Sequence, residues 1–331
     1  MAQSREWRLA RRPVGMPQAG DFEQGTIELR APAEGEILVR NRFLSVDPYM
    51  RGRMYDRPSY VPPFELGKAM QGGAIGEVIE SNAPGFAPGD LVSSMWGWRE
   101  GWVAAASSAQ KIAPPPGVPP QAYLGVLGMT GMTAWGGLTQ IGQPKEGETL
   151  FVSGGAGAVG STVAQIGKVL GLHVVASAGS AEKCDWLRGL GVEAINYRDG
   201  NLAAQLKAAA PRGIDIYFDN VGGDHLEAAL DAARPFARFV ECGMIAQYND
   251  EKPRPGPSNI VLVVGKQIRM EGFIVSRFAH LQGEFAAAMA GWIAEGRIRW
   301  EETIVNGFEQ TPEAFLGLFS GANTGKMVVA L

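Results

Sequence analysis

Thr149-Leu-Phe-Val-Ser-Gly154-Gly155-Ala156-Gly157-Ala158-Val159-Gly160 decides the fold of this chain. A short apolar β-type run feeds a glycine-dense turn, and a helix-like segment follows to about Gly171. Gly155, Gly157 and Gly160 fit G-x-G-x-x-G. That spacing gives one glycine to a tight turn, one to close approach of the backbone to a pyrophosphate, and one to helix–strand packing. N–H groups at the helix N-terminus then face the phosphates. With 45 glycines in 331 residues the triplet alone is weak, and its context strengthens it. A second β-type run, His173-Val-Val-Ala-Ser-Ala178, follows the helix at βαβ spacing. The stretch therefore predicts a dinucleotide site in mid-chain, and with it redox chemistry.

The next strand end bears on which dinucleotide. NAD-binding units carry Asp or Glu about 20 residues past the glycine motif, where it bonds the ribose hydroxyls. The corresponding place reads Ser177-Ala178-Gly179-Ser180, with Lys183 close behind. A carboxylate would repel a 2′-phosphate, whereas hydroxyls, a glycine and an ammonium accept one. Tyr197 and Arg198, after the third strand, stand within reach of the same phosphate. The pattern favours NADP, with a solvated helix position as the competing reading of Lys183.

Working outward, the segment from about 122 alternates strand and helix signals. Ala194–Tyr197, Ile214–Phe218, Phe236–Cys242 and Ile268–Ile274 read as further strands, with helical patterns such as Leu226–Ala233 between most of them and a last helix over 281–295. Such alternation predicts a parallel sheet covered on both faces. Residues 1 to about 125 read mostly as β and loop. Strands are expected at Ile37–Leu44, at Gly73–Glu80, after the turn Pro88-Gly-Asp90 and over Val103–Ile112, with a proline-rich loop at 114–120. Ile304–Phe308 and Gly325–Leu331 read as strand again and are expected to rejoin the first domain.

Composition narrows the function classes. The net charge of −4 gives no support to nucleic-acid binding. No apolar run is long enough to span a bilayer, and the polar start Met1-Ala-Gln-Ser-Arg-Glu-Trp-Arg lacks a signal-peptide core. Cys184 and Cys242 give neither a disulfide framework nor a metal-spaced cluster. A reduced, cytoplasmic protein is the expectation.

Several runs in order, Val152-Ser-Gly-Gly-Ala-Gly-Ala-Val-Gly-Ser161, Ala178-Gly-Ser-Ala-Glu-Lys183, Ile195-Asn-Tyr-Arg198 and Phe218-Asp-Asn-Val-Gly-Gly223, resemble the zinc-independent medium-chain dehydrogenase/reductases. Ser45–Met54, Gly128–Ala134, Cys242–Asn249 and Gly325–Val329 carry the likeness across nearly the whole chain, nearest to the NADPH-dependent alkenal/one double-bond reductases, the group that includes prostaglandin reductase and curcumin reductase. The resemblance implies an α/β protein. A GroES-like, mostly-β domain would span 1–125 and be rejoined by 300–331, with a Rossmann doubly wound parallel sheet over 126–299, the active site in the cleft between them, and a homodimer formed through edge strands near Ile268–Val275. It also implies site residues. Gly155, Ala156, Gly157 and Val159 line the coenzyme, and Gly179, Ser180, Lys183 and Tyr197 hold the adenosine phosphate. Asn220 and Tyr248 lie near the nicotinamide ribose. Met129, Thr133, Phe273, Val275 and Asn323 lie near the nicotinamide, Cys242 is a further coenzyme-binding residue, and Tyr49 faces the substrate.

Zinc-containing relatives carry Gly-His-Glu in the first domain, where this chain has Gly67-Lys-Ala-Met-Gln-Gly-Gly73. Its three histidines, His173, His225 and His280, are widely spaced, so no metal is expected. Without one, conjugate reduction of an enone suits the chain better than reduction of a plain ketone: hydride at the β carbon leaves a delocalised enolate that one or two hydrogen bonds can hold. The resemblance implies the nicotinamide ribose hydroxyl as the donor, and Tyr248 is the candidate to position it and to assist stabilisation or protonation of the enolate, against a packing role. Tyr49 either bonds the carbonyl oxygen or lines the pocket. Asp47 and Arg51, four apart, read as a structural ion pair. Trp96, Trp98 and Trp102 read either as a substrate-facing aromatic cluster or as a lid or core patch. The expected activity is NADPH-dependent reduction of the C=C bond of α,β-unsaturated ketones and aldehydes; quinone reduction and a non-enzymatic, crystallin-like NADPH-binding role remain the alternatives.

Overall fold

The structure is a computed structural model that describes residues 2–331, so Met1 of the first expected domain lies outside the described residues. The chain divides into two compact units, one of residues up to Leu124 together with Glu302–Leu331, the other Gly125–Glu301.

The first unit begins with β1 (Ala2–Leu9) and β2 (Phe22–Leu29), an antiparallel pair in register from Ala2 opposite Leu29 to Leu9 opposite Phe22. A larger sheet holds β3 (Glu36–Ser45), β4 (Ala74–Ser81), β5 (Leu91–Ser94), β6 (Gly101–Ala105) and β7 (Ala109–Lys111). Along β3, Ile37 and Val39 turn inward and are fully buried, as a strand with one solvated face requires, and Leu44, beyond a register shift, enters a second core. The single strand expected over Val103–Ile112 is two. A short 3-10 turn at Ala106–Ser108 separates β6, which pairs with β3, from β7, which pairs with β5, so the break lets the chain change partners.

The second unit opens with α1 (Met129–Gly136), which runs into a wider π-type turn at Gly137–Gly142. Then come β8 (Thr149–Val152), α2 (Ala158–Val169), β9 (His173–Ala178), α3 (Ala181–Gly189), β10 (Glu193–Asn196) and α4 (Leu202–Ala209). β11 (Ile214–Asp219), α5 (Asp224–Ala232), β12 (Ala233–Glu241), the single-turn α6 (Leu262–Gly265), β13 (Arg269–Gly272) and α7 (Gln282–Ala294) complete it. All six strands are parallel, in the order β10-β9-β8-β11-β12-β13. β8 is buried along its whole length, as expected of a strand covered by helices on both faces. Phe151 stacks on Tyr217 and Tyr217 meets Phe239 edge-on across β8, β11 and β12, in one core cluster with Leu226 and Leu230 of α5. The order reverses between β8 and β11, and in an open α/β sheet that reversal opens a crevice at the carboxyl ends of the strands.

The tail, β14 (Glu302–Asn306), α8 (Thr311–Ser320) and β15 (Lys326–Ala330), belongs to the first unit: β15 pairs antiparallel with β3 and parallel with β14. It also corrects an expectation. Asp47 does not pair with Arg51. Lys326 Nζ reaches Asp47 Oδ1 at 3.0 Å and the carbonyl oxygens of Val46 and Met327, while Ser45 Oγ donates to the other carboxylate oxygen. Arg51 turns the other way. It donates to Gly15 O at 2.9 Å and lies 4.0 Å from the Tyr55 ring centroid. Asp47 opens a turn of 3-10 helix at Pro48–Met54, where a side chain four residues on need not return to the same face.

The three tryptophans do not form one cluster. Trp98, fully buried, packs with Phe22 and Phe315, whereas Trp96 stacks on Trp102 at 5.7 Å and its Nε1 donates to Ser108 Oγ. No helix among the described residues is long and apolar enough to cross a membrane.

Candidate active site

The glycine turn joins β8 to α2 at the reversal. The left-handed backbone falls on Gly154 (φ +61°), one residue before the G-x-G-x-x-G triplet. Gly155 and Gly160 serve close packing. A Cβ on Gly155 would meet Ala176 Cβ at 2.6 Å, and one on Gly160 would meet Gly154 O at 2.3 Å. Gly157 is the N-cap of α2, followed by Ala158 and Val159. The first N–H groups of the helix have no partner within it and converge on one point, which suits an anion. Ala156 is buried in the same turn.

Beside this turn, at the carboxyl ends of β9 and β10, polar groups gather. Ser180 caps α3, its Oγ accepting the Lys183 N–H at 3.3 Å. Asn196 lies opposite Ala178, which brings Tyr197 over Gly179: a Cβ there would stand 2.6 Å from the Tyr197 hydroxyl. The Tyr197 ring meets His225 edge-on at 5.1 Å, and the Arg198 guanidinium lies 5.9 Å from the Tyr197 ring centroid. Burial, and then the Arg198 charge, hold the Lys183 ammonium below its usual range. Two cations close enough to oppose each other's charge mark a place that favours an anion.

On the other side of the reversal the groups are buried and acidic. Asp219 ends β11 with no exposed surface. Its Oδ1 accepts from Ser153 Oγ at 2.9 Å, Tyr217 Oη at 2.7 Å, and the Val221 and Gly222 N–H groups at 2.8 Å each. Ser153 Oγ in turn accepts the Asn220 N–H, and the Asn220 side-chain amide donates to Ser153 O at 2.8 Å. The Asp219 carbonyl accepts the N–H groups of Cys242 and Gly243, both at 3.0 Å. Asp219 thus ties β8, β11 and the chain leaving β12 together. The sequence reading passed over it, and over Ser153 and Glu241. The available signal is a second carboxylate, after Asp215, closing the run Ile214–Phe218 at the strand's end.

The chain leaving β12 forms a wall. Tyr248 folds back over Gly243, where a Cβ would come 2.9 Å from its hydroxyl, and Tyr248 Oη accepts the Met244 N–H at 3.3 Å. Glu241, Cys242, Gly243, Met244, Phe273 and Arg277 border a cavity of about 540 Å³ within this unit. Burial, together with Asp219 and Glu241, pushes the Cys242 thiol up to about 12, so it stays a thiol.

The remaining candidates are spread more widely. Thr133 Oγ1 donates to Met129 O at 2.7 Å on α1, and the Met129 side chain is exposed. The Phe273 ring is buried against Phe218, Phe278 and Gly137. Val275 begins the 3-10 turn after β13. In the first unit, the Asn323 side-chain amide donates to Gly325 O at 2.7 Å. Tyr49 packs beside the core that holds Met50 and Phe315, and burial followed by the Asp47 charge raises its pKa, so it remains a neutral phenol. Among the described residues no group of three or more His, Cys, Asp or Glu side chains is placed to hold a metal ion.

Residues 5–112 match the family model described as the N-terminal domain of oxidoreductase, and residues 158–295 the one described as zinc-binding dehydrogenase. The chain is 43% identical to the NADPH-dependent curcumin reductase of Escherichia coli, an alignment covering 98% of this chain and 96% of that protein. The chain belongs to the medium-chain dehydrogenase/reductases. Within that family it groups with the alkenal and prostaglandin reductases: it is 43% identical to the NADP(+)-dependent 2-alkenal reductase of Nicotiana tabacum, over 96% of this chain and 94% of that one. The crystal structure of CurA from Vibrio vulnificus in complex with NADPH superposes with a TM-score of 0.94 at 42% identity, covering 98% of both chains. The mostly-β N-terminal domain and the parallel Rossmann sheet are those of this family.

Proposed function

We propose that this protein reduces the C=C bond of α,β-unsaturated aldehydes and ketones with NADPH, adding hydride to the β carbon without a metal ion. The observation that carries this reading is the 43% identity, over almost the whole chain, to a protein named an NADPH-dependent curcumin reductase. The residues present suit the coenzyme. Lys183, Ser180, Tyr197 and Arg198 would hold the adenosine phosphate over Gly179, where a carboxylate would repel it. The turn from Gly155 through Val159 would receive the pyrophosphate. Asn220 and Tyr248 would hold the nicotinamide ribose. Met129, Thr133, Cys242, Phe273 and Val275 of the second unit would lie near the nicotinamide.

When bound, NADPH supplies the hydride. The chain's task is to hold the charge that develops on the substrate oxygen. Tyr248 is assigned to it: by accepting the Met244 N–H its phenol is polarised and becomes a better donor. A preorganised donor of this kind contributes about 3 kcal/mol to such a barrier. Tyr49, neutral through the working pH range, is assigned to the substrate carbonyl oxygen. We place the protein in the cytoplasm with both cysteines as free thiols, and as a homodimer joined through β13. That strand is the edge of its sheet, and Phe236 and Val264 nearby are 65% and 79% exposed.

The test is NADPH oxidation against a panel of enones, alkenals and quinones, with product identification. A saturated product with its carbonyl intact is expected. An alcohol product, turnover of quinones alone, or no oxidation across the panel overturns the reading.

A further inference from the structure

We propose that Asp219 and Glu241 share a single proton across the ends of β11 and β12, and that this proton makes Glu241 a positioning residue for the wall on which Tyr248 stands. The positioning half rests on the function proposed above; the shared proton does not.

The two carboxyl groups are placed side by side by the sheet. Asp219 lies opposite Glu241 in register on parallel neighbours. Such residues project from the same face, with backbones about 4.8 Å apart. On its other side Glu241 faces Gly272, which has no side chain to offer. Asp219 Oδ1 already holds four donors. Among the described residues, no N–H or O–H donor reaches Asp219 Oδ2 or either carboxylate oxygen of Glu241, and all three atoms are buried. Two bare carboxylates in that position would each lack solvation and would repel each other. One proton removes both costs. It leaves a single negative charge, held on the Asp219 side by its four donors, and turns two of the three unpartnered oxygens into the ends of one hydrogen bond.

The other titratable groups around the pair supply no competing partner. Tyr217 of β11 donates to Asp219 and feels both carboxyls. His225 of α5 feels Asp219 and Asp224, and burial holds it neutral. Cys242 is a thiol raised by burial first and then by the pair, and Arg277, which borders the same cavity, is bound to Glu271 of β13 at 2.7 Å. Burial first, and then Asp219, push the Glu241 carboxyl up to about 8. The proton is therefore in place at neutral pH and lost in mild alkali.

Its consequence falls on the segment that follows. Glu241 leads directly into Cys242 and Gly243, whose N–H groups are held by the Asp219 carbonyl, and Met244, whose N–H is held by Tyr248. Splitting the pair into two like charges forces β11 and β12 apart at the point where that wall begins.

The experiment compares the wild-type protein with Glu241→Gln, which keeps a hydrogen-bond donor and cannot ionise. Because the folded-state value is raised, the stabilisation is complete in acid and is lost as pH rises to about 8. Without added ligand, the wild-type Tm should fall across that interval relative to the variant. Infrared spectra of the wild type should show a buried carboxylic-acid C=O band at neutral pH that disappears in alkali. Enone-reduction kcat/KM should show an alkaline loss with a midpoint of about 8 that is missing from Glu241→Gln. If the variant does not fold, the infrared titration of the wild type decides alone. Absence of the band at neutral pH, or the same alkaline loss in Glu241→Gln, overturns the proposal. If the band and the Tm difference are found while no enone is reduced, the shared proton stands and its positioning role falls with the reductase reading.

Discussion

Two buried aspartates, one in each unit, are satisfied in opposite ways. Asp47 in the first unit is neutralised by a cation, Lys326, brought from the far end of the chain on β15. Asp219 in the second unit is held by two hydroxyls and two backbone N–H groups, all neutral, and stands beside a second carboxyl. A buried ion pair is a fixed brace, because separating it strands a charge in a poor solvent. A carboxylate held by neutral donors keeps its charge and leaves neighbouring protons able to move. The first arrangement ties the C-terminal tail to the end of β3. The second gathers β8, β11 and the chain leaving β12 around the crevice, and remains responsive to pH.

The sharpest way to break this contrast is Asp219→Ala. It deprives two hydroxyls and two N–H groups of their acceptor, and should cost on the order of 5 kcal/mol of stability, read as a fall in Tm or a loss of soluble protein. Lys326→Ala should cost slightly less, about 4 kcal/mol, by leaving Asp47 charged and unpaired in a buried place; denaturant unfolding measures it, and a loss under about 1 kcal/mol would show that the brace is not needed. Tyr248→Phe asks what the wall braced by Asp219 carries. Its kcat for enones should drop about 100-fold with little change in Tm, while an unchanged kcat would reduce Tyr248 to packing. Lys183→Ala should be the mildest, since its partner would be a phosphate at a half-open site. A rise of about 10-fold in KM for NADPH, smaller at high salt and absent with NADH, is expected.

Much of this architecture was readable in the chain. The run Thr149–Val152, the glycine turn and His173–Ala178 are local signals: apolar β residues next to glycines leave few other conformations, and the observed strands match them closely. What was not readable depended on contacts distant in sequence. β1 and β2 are half-polar strands whose ladder is to each other, with single bridges from β1 to Arg99, Ala69 and Leu66, so their pattern shows no clear period. Arg51 stood at helical spacing from Asp47, yet the backbone there is 3-10, and the true partner lay 279 residues away. Trp96, Trp98 and Trp102 share an even spacing that suggests one cluster, but the chain between β5 and β6 turns at Trp98 (φ +58°), and Trp98 enters a different core from Trp96 and Trp102. Asp219 stands within the motif Phe218–Gly223, but the gathering of Ser153, Tyr217, Val221 and Gly222 on its one carboxylate oxygen is set by the fold.

The amino-acid sequence by itself determined where strands and helices alternate, where the chain must turn on glycine, and that the strand end at Ser177–Ser180 carries hydroxyl and amine rather than carboxylate. These are properties of neighbouring residues, set by backbone sterics and side-chain charge. Only the tertiary structure decided which carboxylate meets a lysine and which meets another carboxyl. Burial makes that choice, because a charge removed from water takes its energy from whichever groups the fold has brought within hydrogen-bond reach.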